Sequence, residues 1–418
     1  FSGECMTTTR IRDIKISWDS IFFFGYVVIM LWPAYLSNAI FNFLDNLYLI
    51  LGIGFLIIKR YKPSKLIGLV AIFYVYLILI TFLNNTDTAD VHLIISNLKV
   101  IIFLASIDCL IKQRRKLVLQ VLFYYIFAVV LIDFVTVVMY PEGWYFTETV
   151  YNEWTTGYNA QWFLGNKNNH TTWYLLAIFL SGVMCLNSNK VFYYVIALIV
   201  SCISIISMIL LDSATSIVVV IIAIFGMIWG CFRRKAIRRV PNIYFLIAIY
   251  VIFNIVILCG ATSFLSPLVE GIMGRDLTFT SRTFIWERVF QLISQNIVFG
   301  SGQVSGDYAS MALGAHSFVN AHNQYLQILW QGGIVQLFIF VGIIFAVAHS
   351  IYHEKNRSLQ FFKTLVILAL LLKFIFEVEF SVNCWMILLL LRCSGKNILF
   401  AKKGVQNKVN AKSKPAIV

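Results

Sequence analysis

Long apolar runs separated by polar segments dominate this chain, and the runs are continuous rather than alternating residue by residue. An apolar helix of roughly 20 residues crosses a ~30 Å hydrocarbon core, whereas a barrel strand would alternate apolar and polar positions. Within lipid a helix satisfies its own backbone groups, so the pattern predicts an all-α polytopic membrane protein with about twelve transmembrane helices. The predicted spans are 20–37, 41–58, 65–83, 91–111, 117–139, 170–187, 191–211, 215–232, 242–260, 324–348, 361–376 and 381–393.

Composition agrees with this class, because 60% of the 418 residues are hydrophobic and only 12% are charged. We expect one integral membrane domain over residues 1–418, with outer loops at 140–169 and 261–323 and a basic tail at 394–418. No Cys-x-x-Cys or Cys/His spacing supports zinc or a disulfide framework. No cleavable signal peptide is expected, and the residues before Met6 are expected to be foreign to the natural chain.

Basic residues concentrate in alternate connections between the predicted spans. If the N-terminus is cytoplasmic, the inner segments hold nearly all of them, which is the positive-inside pattern and places both termini in the cytoplasm. The net charge of +14 therefore indicates topology rather than nucleic-acid binding. The inner basic clusters include 10–15, 59–65, 112–116, 233–239, 355–363 and 392–414.

Four basic residues fall outside this pattern, in the two outer loops: Lys167, Arg275, Arg282 and Arg288. The remaining soluble parts are short. We therefore expect any chemistry to take place on the extracytoplasmic face of the membrane.

The first outer loop combines aromatic residues with a polar cluster that contains Asn166, Lys167 and His170. Aromatic rings beside amides and hydroxyls suit sugar binding. The alternative for Trp144, Tyr145 and Trp154 is an interfacial aromatic belt.

The second outer loop carries an amphipathic pattern from Ser281 to about Asn296, with Ser281 as a suitable N-cap. Arg282 and Trp286 are four residues apart and share a helix face. Arg288 lies about 240° round from Arg282 at ~100° per residue, so one ligand meets both only if it lies over the helix N-terminus or if the helix is bent. The alternative for Arg288 is a surface pair with Glu287 or a lipid phosphate.

His322 and Asn323 stand at the aqueous mouth of the tenth predicted span. An imidazole can accept a proton near neutral pH, so His322 is a candidate general base, with a structural histidine as the alternative. Lys373 and Glu377, four residues apart, are expected to pair. The charged residues within spans should face the bundle interior, since charge is costly in lipid; they are Asp45, Lys99, Asp108, Asp133 and Lys373.

Several short motifs follow one another between residues 165 and 343. They are Gly165-Asn166-Lys167-Asn168, Ser281-Arg282-Thr283-Phe284-Ile285-Trp286, Asn296-Ile297-Val298-Phe299-Gly300-Ser301-Gly302, Ala321-His322-Asn323-Gln324-Tyr325-Leu326 and Gly333-Ile334. In order and spacing they resemble the O-antigen ligase and Wzy-type polysaccharide polymerase superfamily. The family proline is replaced by Ile297, and the turn 212–216 lacks the arginine that many members carry.

The resemblance implies a GT-C-like bundle in the bacterial cytoplasmic membrane, with amphipathic helices in a large extracytoplasmic loop. It implies an inverting glycosyltransferase, independent of metal and cofactor, that polymerises undecaprenyl-pyrophosphate-linked oligosaccharide units into a capsule, O-antigen or exopolysaccharide. Membrane lipid and other polysaccharide-assembly membrane proteins are the implied partners, and nucleic acid is not. Two alternatives stay open: an O-antigen ligase that moves finished chains to another acceptor, and a lipid-linked oligosaccharide flippase or transporter.

The resemblance and the residue chemistry together suggest roles for individual side chains. His322 is expected to be the base, and Arg282 the main contact of the leaving pyrophosphate, since a guanidinium fork stabilises phosphate oxygens. The remaining candidates for pyrophosphate or glycan binding are Arg288, Arg275, Asn323, Asn166, Lys167, His170 and Trp286.

Overall fold

The computed structural model describes residues 18–84, 90–152, 155–188, 190–232, 240–259, 280–304, 306–314 and 319–393. A two-stranded antiparallel hairpin interrupts an otherwise helical chain. The helices are α1 (Trp18–Met30), α2 (Ala39–Ile58), α3 (Lys65–Asn84), α4 (Val91–Met139), α5 (His170–Asn187), α6 (Val191–Leu210), α7 (Ala214–Phe232), α8 (Ile243–Leu258), α9 (Thr280–Gln295), α10 (Gly306–Leu313), α11 (Gln324–Tyr352), α12 (Arg357–Phe376) and α13 (Val382–Cys393), and the strands are β1 (Tyr145–Asn152) and β2 (Thr155–Gln161).

The structure has a helix at every predicted span. This agrees with the predicted class, an all-α polytopic membrane protein. In the described part of the chain, 7 helices are long and apolar enough to cross a membrane, judged by length and composition. The spans predicted at 91–111 and 117–139 form the single helix α4, which kinks at Arg114 (φ −138°, ψ 48°). The first helix is shorter than predicted: it ends at Met30, and Pro33 precedes a 3₁₀ turn.

Helix α5 lies at the centre of the bundle, with every residue from His170 to Leu186 buried. It packs against α4, α6, α7, α12 and α13. A helix that is apolar on all sides gives up little favourable contact with water when other helices surround it. This central position is relevant to the site because α5 begins at its loop end with His170.

The charged residues predicted to face the interior all find partners there. Asp108 accepts a hydrogen bond from Tyr61 (2.6 Å), and Lys99 pairs with Asp45. The prediction that Lys373 pairs with Glu377 is wrong, because Lys373 forms its ion pair with Glu379. Helix α12 ends at Phe376, and Glu377 follows it with an extended backbone (φ −141°, ψ 146°), so its carboxylate meets Arg282 and His322 rather than Lys373.

Helix α11 is broken at Gly333, whose backbone (φ 63°, ψ −164°) is non-helical. The segment after α9 occupies the break: Ile297 O accepts a hydrogen bond from Ile334 N (2.9 Å), and Gly302 N donates to Gln331 O (2.8 Å). Backbone groups freed inside a membrane bundle need such partners. A Cβ on Gly300 would lie 2.4 Å from the Gly332 nitrogen. The close approach of the two backbone segments therefore explains the glycines at 300 and at 332–333.

The bundle has two chemically different ends. One end, here called the site end, carries the segment 320–324 and the connection 377–381, which meet through a 2.6 Å hydrogen bond from Glu379 N to Gln324 Oε1. The other, the basic end, carries the contact of Lys112 Nζ with Lys62 O (2.9 Å). The basic connections at 59–65 and 112–116 therefore lie together at this end.

Candidate active site

Arg282 lies in the first turn of α9 and reaches the connection after α12. Its Nη2 donates to Glu377 Oε1 at 3.1 Å, and its guanidinium carbon stands 5.7 Å from the centre of the Phe376 ring. The predicted amphipathic helix is confirmed, although it begins at Thr280, one residue before the position predicted as its N-cap. Ile285, Val289 and Ile293 form its buried face and hold it against the bundle.

His322 lies on the other side of the same carboxylate. Its Nδ1 is 3.8 Å from Glu377 Oε2, a contact longer than a hydrogen bond. The backbone of His322 has φ 47°, and its N–H donates to Asn320 Oδ1 at 2.9 Å. A left-handed conformation is uncommon for a residue with a side chain and tends to persist where neighbouring contacts fix it.

Asn323 fixes the position of His322 through backbone contacts. Its Oδ1 caps α11 by accepting from the nitrogens of Tyr325 (3.0 Å) and Leu326 (3.1 Å). Its Nδ2 donates to Asn254 Oδ1 (3.2 Å) and to Ile375 O (3.0 Å). With no exposed surface, Asn323 ties the start of α11 to α8 and α12.

Trp286 connects α9 to the histidine segment from the opposite direction. Its ring is buried, and Nε1 donates to Ala321 O at 3.1 Å. The N–H of Ala321 in turn donates to Gln327 Oε1 at 2.8 Å. The indole therefore fixes the position of Ala321, the residue before His322. Because Arg282 lies on the same helix as Trp286, this contact also fixes Arg282 relative to His322.

Arg288 points away from this group. Its Nε donates to Ala312 O at 3.0 Å and its Nη1 to Gln291 Oε1 at 2.9 Å, which binds α9 to the end of α10. The angular separation from Arg282 that the sequence predicts agrees with this divergence. Arg275 lies outside the described residues.

The polar cluster of the first outer loop forms part of the fold at the site end. His170 is buried between Asp133 Oδ1 (3.1 Å from Nε2) and the carbonyl of Asn166 (2.9 Å from Nδ1). Asn166 also accepts from the nitrogens of residues 168 and 169. Lys167 is exposed beside it. Lys373 Nζ donates to Asn168 O at 3.1 Å, which joins this loop to α12.

The hairpin formed by β1 and β2 belongs to the same outer loop and was not predicted. Trp144 precedes β1 and stacks on Tyr35, with ring centres 4.0 Å apart. The alternation of Thr, Tyr and Val in 145–152 is typical of a strand and could have indicated it. Trp154 lies outside the described residues.

The turn that lacks the family arginine is held by hydroxyl groups. Ser216 Oγ lies 2.6 Å from both Thr171 Oγ1 and Ser213 Oγ. These contacts attach the start of α7 to the start of α5. The turn lies at the site end, and in this chain its hydroxyls serve packing.

Glu377 joins the two leading candidates, and sequence reasoning assigned it only as a partner of Lys373. Burial raises the pKa of its carboxyl, but His322 and Arg282, with Lys373 further away, outweigh burial and lower that pKa below its ordinary value. Glu377 is thus a carboxylate at neutral pH. The available signal was its position as the first residue beyond a span at the end where His322 emerges.

Residues 197–341 match the family model described as O-antigen ligase. The match covers about a third of the chain and is consistent, over that segment, with the resemblance to the O-antigen ligase and Wzy superfamily. The matched segment contains Arg282, Trp286 and His322, while Glu377 lies beyond it. No curated protein matches the chain. At the family level the match supports an enzyme of the O-antigen ligase or polymerase type that acts on lipid-linked glycans.

Proposed function

We propose that this protein is an inverting glycosyltransferase that polymerises polyprenyl-pyrophosphate-linked oligosaccharide units at the outer face of the cytoplasmic membrane. The observation that supports it most is the meeting of a guanidinium and an imidazole on one carboxylate, with Arg282 and His322 both contacting Glu377. Group transfer from a pyrophosphate needs a cation for the leaving group and a base for the attacking hydroxyl.

Arg282 binds the leaving pyrophosphate in this proposal. The bond between the anomeric carbon and the pyrophosphate oxygen breaks, and the electron pair leaves with that oxygen. A planar guanidinium can hold two phosphate oxygens at once. In the resting site Glu377 occupies one of its donors, so the substrate must share or displace this contact.

His322 accepts the proton of the acceptor hydroxyl, whose oxygen forms the new bond to the anomeric carbon on the face opposite the leaving group. The Glu377 carboxylate faces Nδ1. This favours the tautomer with hydrogen on Nδ1, which leaves the lone pair of Nε2 available as the base. Asn323 and Trp286 keep the segment in place through the contacts described above.

The proposal that the site faces the outside of the membrane rests on the distribution of charge. Basic connections collect at the end of the bundle away from His322, and positive residues are retained on the cytoplasmic side. The site end would then face outward, where the polyprenyl chain lies between helices and its headgroup reaches Arg282.

A ligase that transfers finished chains to another acceptor is the second candidate, and the description of the matching family favours it. Purified protein in lipid bilayers, incubated with a lipid-linked repeat unit alone, separates the possibilities. Products that grow in steps of one unit support the polymerase. Transfer only after a different hydroxyl acceptor is added supports the ligase. Movement of the lipid-linked unit between leaflets without any new glycosidic bond would refute the enzyme proposal.

A further inference from the structure

A cavity of ≈370 Å³ opens at the site end, beside the candidate active site. Its walls come from the end of α1 and the turn after it, the start of α5, and the connection between α12 and α13. The volume lies within the ~300–1,000 Å³ typical of small-molecule pockets. It is large enough for a short stretch of glycan.

The cavity and the candidate active site are linked through the connection between α12 and α13. Glu379 lines the cavity, and Glu377 stands two residues earlier in the same connection. The backbone N–H of Glu379 donates to Gln324 Oε1 at 2.6 Å, and Gln324 follows His322 and Asn323 directly. One wall of the cavity is therefore tied to the segment that carries the base.

The lining mixes apolar and polar side chains, and the charged residue in it, Glu379, is paired. The Glu379 carboxylate is held by Lys373 and by the backbone N–H of Ser381 (3.1 Å). Lys373 is the cation that contacts this wall, and it is 2% exposed and already paired with Glu379. The cavity is therefore a poor site for pyrophosphate, which needs a cation that can reach it. Trp32 and Trp173 contribute rings, and the C–H face of a sugar packs well on an aromatic surface.

One buried side chain in the lining points to a hydrogen-bonding ligand. Asn383 is 5% exposed, and its Oδ1 has no hydrogen-bond partner in the described part of the chain. A buried acceptor without a donor is costly, so such groups usually have a water or ligand partner. A sugar hydroxyl would supply the missing donor.

We propose that this cavity is the acceptor subsite, which binds an uncharged sugar of the chain whose hydroxyl attacks. The inference rests on the proposed transferase function and adds the location of the second substrate. The donor pyrophosphate meets Arg282, and the acceptor sugar packs between Trp32 and Trp173 with its hydroxyls toward Asn383.

The test uses the full chain in lipid nanodiscs, because maltoside detergents carry sugar headgroups that would compete. The probe is the phosphate-free oligosaccharide released by mild acid from the lipid-linked repeat unit, and calorimetry measures its binding. Ser37 lines the cavity from its exposed side, so Ser37→Trp should abolish binding. Ala39→Trp places the same side chain at a nearby exposed position outside the lining and should bind like the wild type.

A second variant addresses the buried amide. Asn383→Leu keeps the size of the side chain and removes Oδ1, and binding should weaken by up to about tenfold. Arg282→Ala should leave binding of the phosphate-free probe unchanged. Absence of wild-type binding, or equal binding by Ser37→Trp and Ala39→Trp, overturns the acceptor subsite.

Transfer assays on the same samples separate this inference from the function on which it rests. If the wild type transfers glycan and Ser37→Trp transfers equally well, the acceptor subsite is wrong and the transferase stands. If the probe binds as expected but no variant or wild-type sample forms a glycosidic bond, the transferase proposal fails, and with it the assignment of this sugar site to an acceptor.

Discussion

Arg282 and Glu377 meet at 3.1 Å although 95 positions separate them in the chain. The contact brings the first turn of α9 onto the connection that follows α12, and it neutralises the guanidinium in the absence of substrate. The two side chains keep 27% and 14% of their surface exposed, so a ligand can reach the pair. A phosphate ligand would compete with the carboxylate for the guanidinium.

Removing the guanidinium should stop transfer without unfolding the protein. Loss of one donor that stabilises developing negative charge commonly lowers the rate by ~10²–10³, and we expect at least this for Arg282→Ala. Arg282→Lys should also be poor, since a lysine lacks the planar fork. Transfer of radiolabelled lipid-linked units and a thermal melt measure both effects.

Arg357→Ala is the matched control for this prediction. Arg357 begins α12 at the basic end, where its Nη1 contacts Gln360 at 3.1 Å. We expect near wild-type transfer from it. Full activity in Arg282→Lys would mean that a diffuse positive field is sufficient and that bidentate contact is not needed.

Glu377→Gln tests the carboxylate without changing its shape. Transfer should fall at least about tenfold, because a neutral amide no longer favours hydrogen on Nδ1 of His322. A glutamine that supports wild-type transfer would assign Glu377 to packing alone.

The same variant predicts a pH dependence of stability. The pKa of Glu377 in the fold is lowered, so its stabilising effect is complete above the ordinary glutamate pKa of about 4.3 and is lost as pH falls through the lower folded value. The melting temperature of Glu377→Gln should therefore be below that of the wild type by roughly 1–3 °C at neutral pH. The difference should shrink in acid, and a constant difference down to acid pH would contradict the electrostatic explanation.

The break in α11 should tolerate no side chain. A Cβ on Gly333 would stand 2.2 Å from Val298 O, in a backbone with φ 63°, so Gly333→Ala should destabilise the protein by more than ~2 kcal/mol. Gly300→Ala should behave alike. Gly342 lies in the same helix, and a Cβ added there would meet nothing within 4 Å, so Gly342→Ala should fold normally. The yield of folded monomer in detergent and the melting temperature measure the outcome. A stable Gly333→Ala variant would show that the break in α11 can rearrange.

The spans were predictable because a run of about 20 apolar residues has one stable arrangement in lipid. The site was predictable only in part. Arg282 and His322 stood out as polar groups in the segments between spans, but their common partner depends on where α12 ends. The predicted span ends at 376, yet the pairing of Lys373 with Glu377 assumed a helix that continues one residue further. The backbone turns out of the helix at Glu377, and Lys373 pairs with Glu379 instead. Contacts between residues far apart in the chain, such as Arg282 and Glu377, leave no periodic pattern in the sequence.

The topology proposal predicts opposite labelling of the two ends. In a background without the native cysteines, Asn166→Cys is exposed at the site end and Lys62→Cys is exposed at the basic end. An impermeant maleimide added to whole cells should label position 166 and leave position 62 unlabelled until the cells are opened. The reverse pattern would place the site end in the cytoplasm and refute an extracytoplasmic transferase.

His322 provides the sharpest distinction between an enzyme and a transporter. If its Nε2 accepts the proton of the attacking hydroxyl, His322→Ala should block chain growth while lipid-linked single units still bind through Arg282. His322→Gln can hydrogen-bond but cannot act as a base, so it should be nearly as inactive as alanine. Normal polymerisation by His322→Gln would make the residue structural, held in its left-handed backbone for packing. Unchanged chain lengths in every variant, combined with loss of lipid-linked units from the outer leaflet, would instead identify a flippase.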